Sequence, residues 1–593
     1  MPELSEVEQA LVLAAGRGEL LNLTVRPDQE IRADVVRDVL IGRHGQLDPR
    51  GLRLRGVTVV GRLDLDGLRT TARVQLRRCR FPDGIWMRGA ALPLLDLGES
   101  TVAGLRADDL LVEGSVLLWR GFSATGPVSL VGARIGGKLD LTRARLDGAG
   151  GPALVADRVT VGTDVILDDV VAEGLAGAGV MQLGGARVGG RLSARRLRAV
   201  NLGAGPALAA PNLHVTDTVD LSQGSELRGG GEQGAVRLVG ARAGSVSRGR
   251  ARLVNESGWA LAAHYLDVSG TLYLDRVEAV GGIRLSGSRI GGQVTLEAAV
   301  VDGHHHSALA GTRLQVAQAV LLDRATLSSA GEDATVTLRS ARIAGDLEVR
   351  GTTLTHPAGT ALRLNTTTVE GRTVLDQADV RGELDLRDCT LGTFSDDPAR
   401  VPGRVQLDGL TYRGLPGRRD VTVQQRLGWL GRMPAYAAQP YRQLAAAYQA
   451  AGHEDDARQV LVAQQRRLDS TLSGWTRTRH RLFGLTLQYG YQPVRAVFAL
   501  AAVLAVSIGL FLVLAGGTQV DGGRAACPAV DRVGLAIDAA VPLVTTGADD
   551  RCKLATGTGS GQALAAAGWV LTLLGWASAT LVVAGYSGLV RRR

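Results

Sequence analysis

The phrase Gly132-Ala-Arg-Ile-Gly-Gly137 returns as Gly185-Ala-Arg-Val-Gly-Gly190, Gly287-Ser-Arg-Ile-Gly-Gly292 and Ser340-Ala-Arg-Ile-Ala-Gly345, with a degraded copy at Gly240-Ala-Arg-Ala-Gly244. A chain that repeats itself at a fixed step stacks equivalent units, so the period constrains the fold more than any local propensity does. The step is about 53 residues, and a second phrase keeps it: Gly151-Pro-Ala-Leu, Gly205-Pro-Ala-Leu, Gly258-Trp-Ala-Leu, His306-Ser-Ala-Leu and Gly359-Thr-Ala-Leu.

A shorter unit lies inside the long one. An apolar residue, three of any kind, then two apolar residues flanking one outward residue recur from Val112 to Leu118, Ile135 to Leu141, Val161 to Leu167, Val215 to Leu221, Val268 to Leu274, Val316 to Leu322 and Ile343 to Val349. The alternation is a strand signal, and the intervening Gly, Thr, Asp and Ser are turn residues. The mean step is about 26 residues, half the long unit. These features predict a mainly β fold: a β-solenoid, read as a right-handed β-helix with pentapeptide-like rungs of about 26 residues. A sandwich or barrel would produce no phrase-level identity at this spacing. Some dozen rungs at ~4.8 Å each make a rod on the order of 60 Å long.

The rod needs ends that block edge pairing. Leu4, Val7 and Leu11, then Ile31, Val35, Val39 and Leu40, fall at helical spacing, which predicts a helical cap over 1–50. The solenoid is expected over 51–400 and a Pro-, Gly- and Arg-rich linker over 401–425. A helical neck follows over 426–494. Its segment 439–468 has the pattern of one tetratricopeptide-type hairpin, read as a plain connector or as a peptide-binding groove.

Residues 495–593 read as a membrane region. Ala496–Gly516 and Ala563–Val590 carry no charge, and each is long enough to cross roughly 30 Å of hydrocarbon. Arg466, Arg467, Arg477, Arg479, Arg481 and Arg495 precede the first, and Arg591-Arg592-Arg593 follows the second. The positive-inside rule therefore places both termini and the solenoid in the cytoplasm, with loop 517–562 outside, in a multi-pass protein of the plasma membrane. The acidic N-terminus lacks the apolar run of a signal peptide. The net charge of +9 then needs no nucleic acid, since arginines beside spans suit an anionic leaflet. Ala501, Ala505 and Gly509 in one span and Gly575 and Ala579 in the other form small-residue faces, for packing of the spans on each other or for a homo-oligomer.

Residues able to carry chemistry are sparse. Cys527 and Cys552 share the outside loop and are a candidate disulfide in an oxidising compartment. Cys79 and Cys389 fall in rungs as small packing residues. Gly229-Gly-Gly-Glu-Gln-Gly234 matches the dinucleotide glycine pattern but runs into a strand, where phosphate binding needs a helix N-terminus. His304-His305-His306 has no ligand cluster around it. No cofactor and no catalytic centre are expected. The outward position between the last two apolar residues is apolar at Ile166, Tyr273, Leu321 and Val374 and polar in rungs between them. Such a stripe marks a partner site, with cover by the longer inter-rung loops as the competing reading.

The Gly-Ala-Arg-Ile-Gly-Gly-x-Leu-Asp-Leu phrase, the hairpin from Gln439 to Leu461 and the ending Gly-Tyr-Ser-Gly-Leu-Val-Arg resemble actinobacterial membrane proteins with pentapeptide-like repeats. Members are often labelled "membrane-associated oxidoreductase", which implies a cofactor site. The wider pentapeptide-repeat superfamily includes DNA-mimicking inhibitors, whose acidic surface this basic chain does not share. The expectation is a membrane-anchored cytoplasmic scaffold for protein partners. The alternatives are an oxidoreductase, and a small-pore or sensory membrane protein.

Overall fold

The computed structural model describes residues 3–25, 29–247, 249–397, 400, 403–415, 421–471, 494–523, 525–541 and 543–586. It divides into two units, Met1–Ala435 and Tyr436–Arg593.

One coil of the first unit shows the construction. Leu111–Val112, Val116–Leu117, Ser123–Ala124 and Val128–Ser129 are two-residue strands on four successive faces. Each pairs in parallel with the strand one coil further on, namely Arg134–Ile135, Leu139–Asp140, Arg145–Asp147 and Leu154–Val155. The scheme continues for about 14 turns as a β-solenoid. The 53-residue phrase spans two coils, because Arg134 pairs with Thr160 and Thr160 with Arg187.

The repeated pattern maps directly onto this cross-section. Val112 and Val116 point inward from the first and second faces, and Leu118 turns the corner; all three are buried. Their equivalents Ile135, Leu139 and Leu141 stack one coil further on. Every coil thus buries its apolar edge on its neighbours and not within itself. The chain turns after the second and fourth faces through a left-handed residue, for example Arg143 (φ 60°) and Gly132 (φ 68°). For arginine that conformation costs ~1–2 kcal/mol. The ladder enforces it, since Arg143 N–H donates to the Asp168 carbonyl and Gly132 N–H to the Asp157 carbonyl, both at 2.9 Å. Gly136 has a different cause: a Cβ there would stand 2.2 Å from the Glu113 carbonyl oxygen of the coil before.

The N-terminal end is more than a helical cap. Helices α1 (Glu6–Arg17) and α2 (Ala33–Leu40) are present, but Leu20–Asn22 and Glu30–Arg32 between them are strands. These strands pair with Leu52–Arg55 and Thr58–Val60, so the ladder begins inside residues 1–50. Glu8 ties the cap together. It closes a capping box with Ser5, and its carboxylate takes the Arg32 backbone N–H at 3.1 Å and the guanidinium at 2.8 and 2.7 Å.

The other end also corrects the expected boundaries. Val405–Gln406 and Thr411–Gly414 continue the ladder on Leu384–Asp385 and on Thr390–Ser395, so the segment expected as a linker holds the last coil. Its Gly- and Arg-rich composition is that of solenoid corners, which is why it reads as a linker. Helix α3 (Val423–Leu430) then closes the rod. Trp429 stacks on Phe394 with ring centroids 5.9 Å apart, and Arg426 pairs with Asp396 at 2.9 Å, both buried.

In the second unit α4 (Gln439–Ala450) and α5 (Glu454–Thr471) form the expected hairpin, turning at Gly452 (φ 80°) and burying Tyr441, Leu444, Ala457 and Val460. Residues 472–493, with Arg477, Arg479 and Arg481, lie outside the described residues, as do 587–593. Beyond them come helices Val494–Val513, Ala529–Ala540 and Gly559–Tyr586, around a core of Phe511, Ala536 and Leu564.

Of the two expected spans, one is found among the described residues: Gly559–Val583 is long and apolar enough to cross a membrane. The other expected span is the apolar helix Val494–Val513, of which Val497–Val513 is the apolar stretch among the described residues, and a 3-10 turn at Ala515–Gly517 follows it. The expected small-residue faces are also placed differently. Ala501, Ala505 and Gly509 are exposed, with nothing within 4 Å of a Cβ built at Gly509. Gly575 is buried, but a Cβ on it would meet the Ala540 carbonyl oxygen at 2.1 Å, and Ala579 is half-buried beside it. The two apolar helices do pack directly on each other, around Phe511 and Leu564, and helix Ala529–Ala540, expected as loop, packs on both. Ser507 Oγ donates to its Ala536 carbonyl at 2.8 Å. Cys527 and Cys552 are disulfide-bonded with Cα atoms 6.1 Å apart, beside the antiparallel pair Thr518–Val520 and Cys552–Leu554.

Candidate functional site

The four residues of the apolar stripe occupy one position of the second face. Asp140 pairs with Ile166 and Ile166 with Ser193; Tyr273 pairs with Thr295, Thr295 with Leu321, Leu321 with Glu348 and Glu348 with Val374. The stripe is therefore interrupted by polar neighbours, in alternate coils from Tyr273 to Val374 and by Ser193, Asp220 and Ser247 in succession between Ile166 and Tyr273. Tyr273 is exposed, Ile166 and Leu321 are half-buried and Val374 is buried, so no continuous apolar surface results.

The polar residues on these faces are structural. Asp140 and Asp385, at outward positions of the rungs, are buried. Asp140 accepts hydrogen bonds from Lys138 Nζ at 2.9 Å and Thr142 Oγ1 at 2.6 Å, and Asp385 from the Arg387 guanidinium at 2.9 and 2.8 Å. At the corner after the second face, Asp168 accepts from Ser193 Oγ, from Arg195 N–H and from the Arg195 guanidinium, all one coil away. Burial pushes the Asp168 carboxyl up, but these donors together outweigh it and hold the group below its usual range. Next to it Arg196 binds Asp169 at 2.7 and 2.9 Å and reaches Gln223 at 2.7 Å, bridging three coils. Asp66 with Arg88 and Asp346 with Arg372 repeat the arrangement elsewhere on the rod.

The nucleophile candidates are quenched. Burial pushes the Cys79 thiol up to about 11 and the Cys389 thiol up to about 12, and Cys389 Sγ donates to the Leu364 carbonyl at 3.0 Å. Both are packing groups. His306 stacks on Trp259 with centroids 4.8 Å apart, in a depression of about 530 Å³ on the fourth face that Arg284 and Arg339 also line. His304 sits at a left-handed corner. His356 is buried, accepting the Gly359 N–H at Nδ1 (2.7 Å), so Nε2 donates to the carbonyls of Gly331 and Asp333. The Gly229–Gly234 run crosses between coils, Gly230 N–H donating to the Gly205 carbonyl, and leads into strand Val236–Arg237. Among the described residues no group of three or more His, Cys, Asp or Glu is placed to hold a metal ion.

The first face is different. Its outward arginines are those of the repeated Gly-Ala-Arg phrase. The signal was present in the sequence, yet it reads there only as part of the repeat. No known family model, curated protein or solved structure matches this chain.

Proposed function

We propose that the protein is a membrane-tethered β-solenoid that presents its long outer surface to protein partners, with no catalysis of its own. The observation that carries the tether is the apolar belt on the two long helices. Phe498, Val506 and Val513 on one, and Trp569, Leu573 and Trp576 on the other, are exposed. Such a surface suits lipid and not water. Both helices span in this reading. Arg466, Arg467 and Arg495 on the near side then set the solenoid in the cytoplasm, and the Cys527–Cys552 loop lies on the oxidising side. The coil is right-handed, as parallel crossover connections nearly always are. The scaffold role is supported by where the polar groups go: they join coil to coil, which gives a rigid surface and, among the described residues, leaves no cluster of His, Cys, Asp or Glu placed to hold a metal ion.

The test is affinity capture from membranes with the detergent-solubilised full-length protein, together with an absorbance scan. A reproducible stoichiometric protein partner is expected. A bound flavin or nicotinamide spectrum would replace the scaffold reading with the oxidoreductase that the family resemblance implies. Labelling of single-cysteine variants at residues 60 and 523 in intact cells checks topology, with only the second expected to react from outside.

A further inference from the structure

Three depressions, of about 790, 460 and 670 Å³, lie on the first face of the solenoid. The first is lined from Arg69 to Gly162, the second from Gly185 to Arg242 and the third from Asp267 to Glu370. The pairing register makes these coils consecutive, Thr160 pairing with Arg187 and Arg242 with Asp267. The depressions therefore follow one another along one face of the rod, and together they mark out a groove of three segments.

Its floor carries a periodic charge. Arg134, Arg187, Arg242, Arg289 and Arg342 all stand outward, exposed, at the same position of alternate coils. Between them come Thr160, His214, Asp267 and Gln315. Among the described residues none of the five arginines makes an ion pair, although arginines elsewhere on the rod reach acids one coil away. Two coils advance ~9.6 Å along the axis, at ~4.8 Å each. Three residues of polyproline II advance ~9.3 Å. The acids in the groove, Glu113, Asp267 and Glu370, are fewer than its arginines.

Resting on the scaffold reading, we propose that this groove is the partner site, and that its occupant is an extended acidic segment of a protein with Asp or Glu at about every third residue. Each acid meets one unpaired arginine, and the repeat of the rod supplies the register. Single-stranded nucleic acid fits less well. From Arg134 to Arg342 the outward row holds no Phe, Tyr or Trp on which bases could stack, and Asp267 faces the middle of the path. A flat anionic bilayer does not enter a groove.

The test uses a fluorescent peptide of five Glu-Pro-Ser repeats and the detergent-solubilised full-length protein. The wild type is expected to bind it, more weakly as salt rises, and roughly tenfold more tightly than a peptide of the same composition with its glutamates clustered. The R187E/R242E variant, with an unchanged circular dichroism spectrum and melting temperature, is expected to lose at least roughly tenfold in affinity. Equal binding of both peptides, or binding untouched by charge reversal, overturns the proposal. So does tighter binding of an oligothymidylate or of phosphatidylglycerol vesicles that the same variant abolishes. If the variant still captures the partner found with wild type, the groove assignment fails and the scaffold reading stands. If wild type captures none, the scaffold reading fails as well.

Discussion

The arginines of the first unit form two populations with opposite jobs. Those at the corners and caps, such as Arg195, Arg196, Arg372 and Arg426, reach a carboxylate on a neighbouring coil or turn. Those of the first face, Arg134 through Arg342, stand in line and, among the described residues, make no ion pair. Residue type and rod are the same in both, so position in the coil decides whether an arginine fastens the structure or offers charge to something outside it. The two should respond oppositely to mutation: paired arginines in stability, groove arginines in binding.

The largest effect belongs to the most buried pair. Removing Arg426 by Arg426→Ala strands the Asp396 carboxylate in the core of the C-terminal cap, and should cost about 3–5 kcal/mol, read as a lower denaturant midpoint for the solenoid transition. Burial already pushes the Asp396 carboxyl up to about 6, against the pull of Arg426. A folded-state value above the unfolded one means that the native form holds the extra proton, so this group's contribution falls as pH rises from about 4 through 6. Wild type should therefore lose stability relative to Asp396→Asn over that window. Wild-type stability that rises relative to Asp396→Asn over that window would refute the assignment.

The N-terminal cap carries the same kind of pair with the opposite sign. Hydrogen bonds from Arg32, outweighing burial, pull the Glu8 carboxyl down to about 2. The stability it contributes is complete above the usual carboxylate range and is lost as pH falls toward 2. Glu8→Gln should flatten the acid arm of the melting curve and leave the pH 4–6 arm unchanged. The contrast shows what separates the ends: Glu8 gathers several donors at a partly open site, whereas Asp396 has one cation in a closed one. At mid-rod, Asp168→Ala leaves Ser193 and Arg195 without their acceptor and should cost about 2 kcal/mol in a thermal melt.

How much of this was legible beforehand depends on period. The coil, its two-coil phrase and the inward residues follow from apolar spacing, because Val112, Val116 and Leu118 recur wherever the cross-section recurs. The ends escaped, since Leu20–Asn22 and Glu30–Arg32 are too short and aperiodic to register as strands, and the last coil has the composition of a linker. Helix Ala529–Ala540 was hidden between apolar helices, and with it the true partner of Gly575. Ile166, Tyr273, Leu321 and Val374 share one register position, but exposure depends on neighbours a coil away, and Val374 is buried. The arginines of the first face were in view as letters of the repeat; only the register shows that they share a row, in which, among the described residues, none makes an ion pair.

The smallest expected effect on stability is the sharpest test of the comparison. Arg187→Gln and Arg242→Gln remove charge from the groove while keeping a long polar side chain at an exposed position. With no ion pair to break, each should change stability by less than about 0.5 kcal/mol. Relief of repulsion along the row is itself small, because charges ~9.6 Å apart are largely screened at physiological salt. A melting temperature that drops as far as in Asp168→Ala would mean that these arginines also fasten coils, and the two populations would collapse into one. An unchanged melting temperature with weakened capture of the acidic peptide would keep them apart.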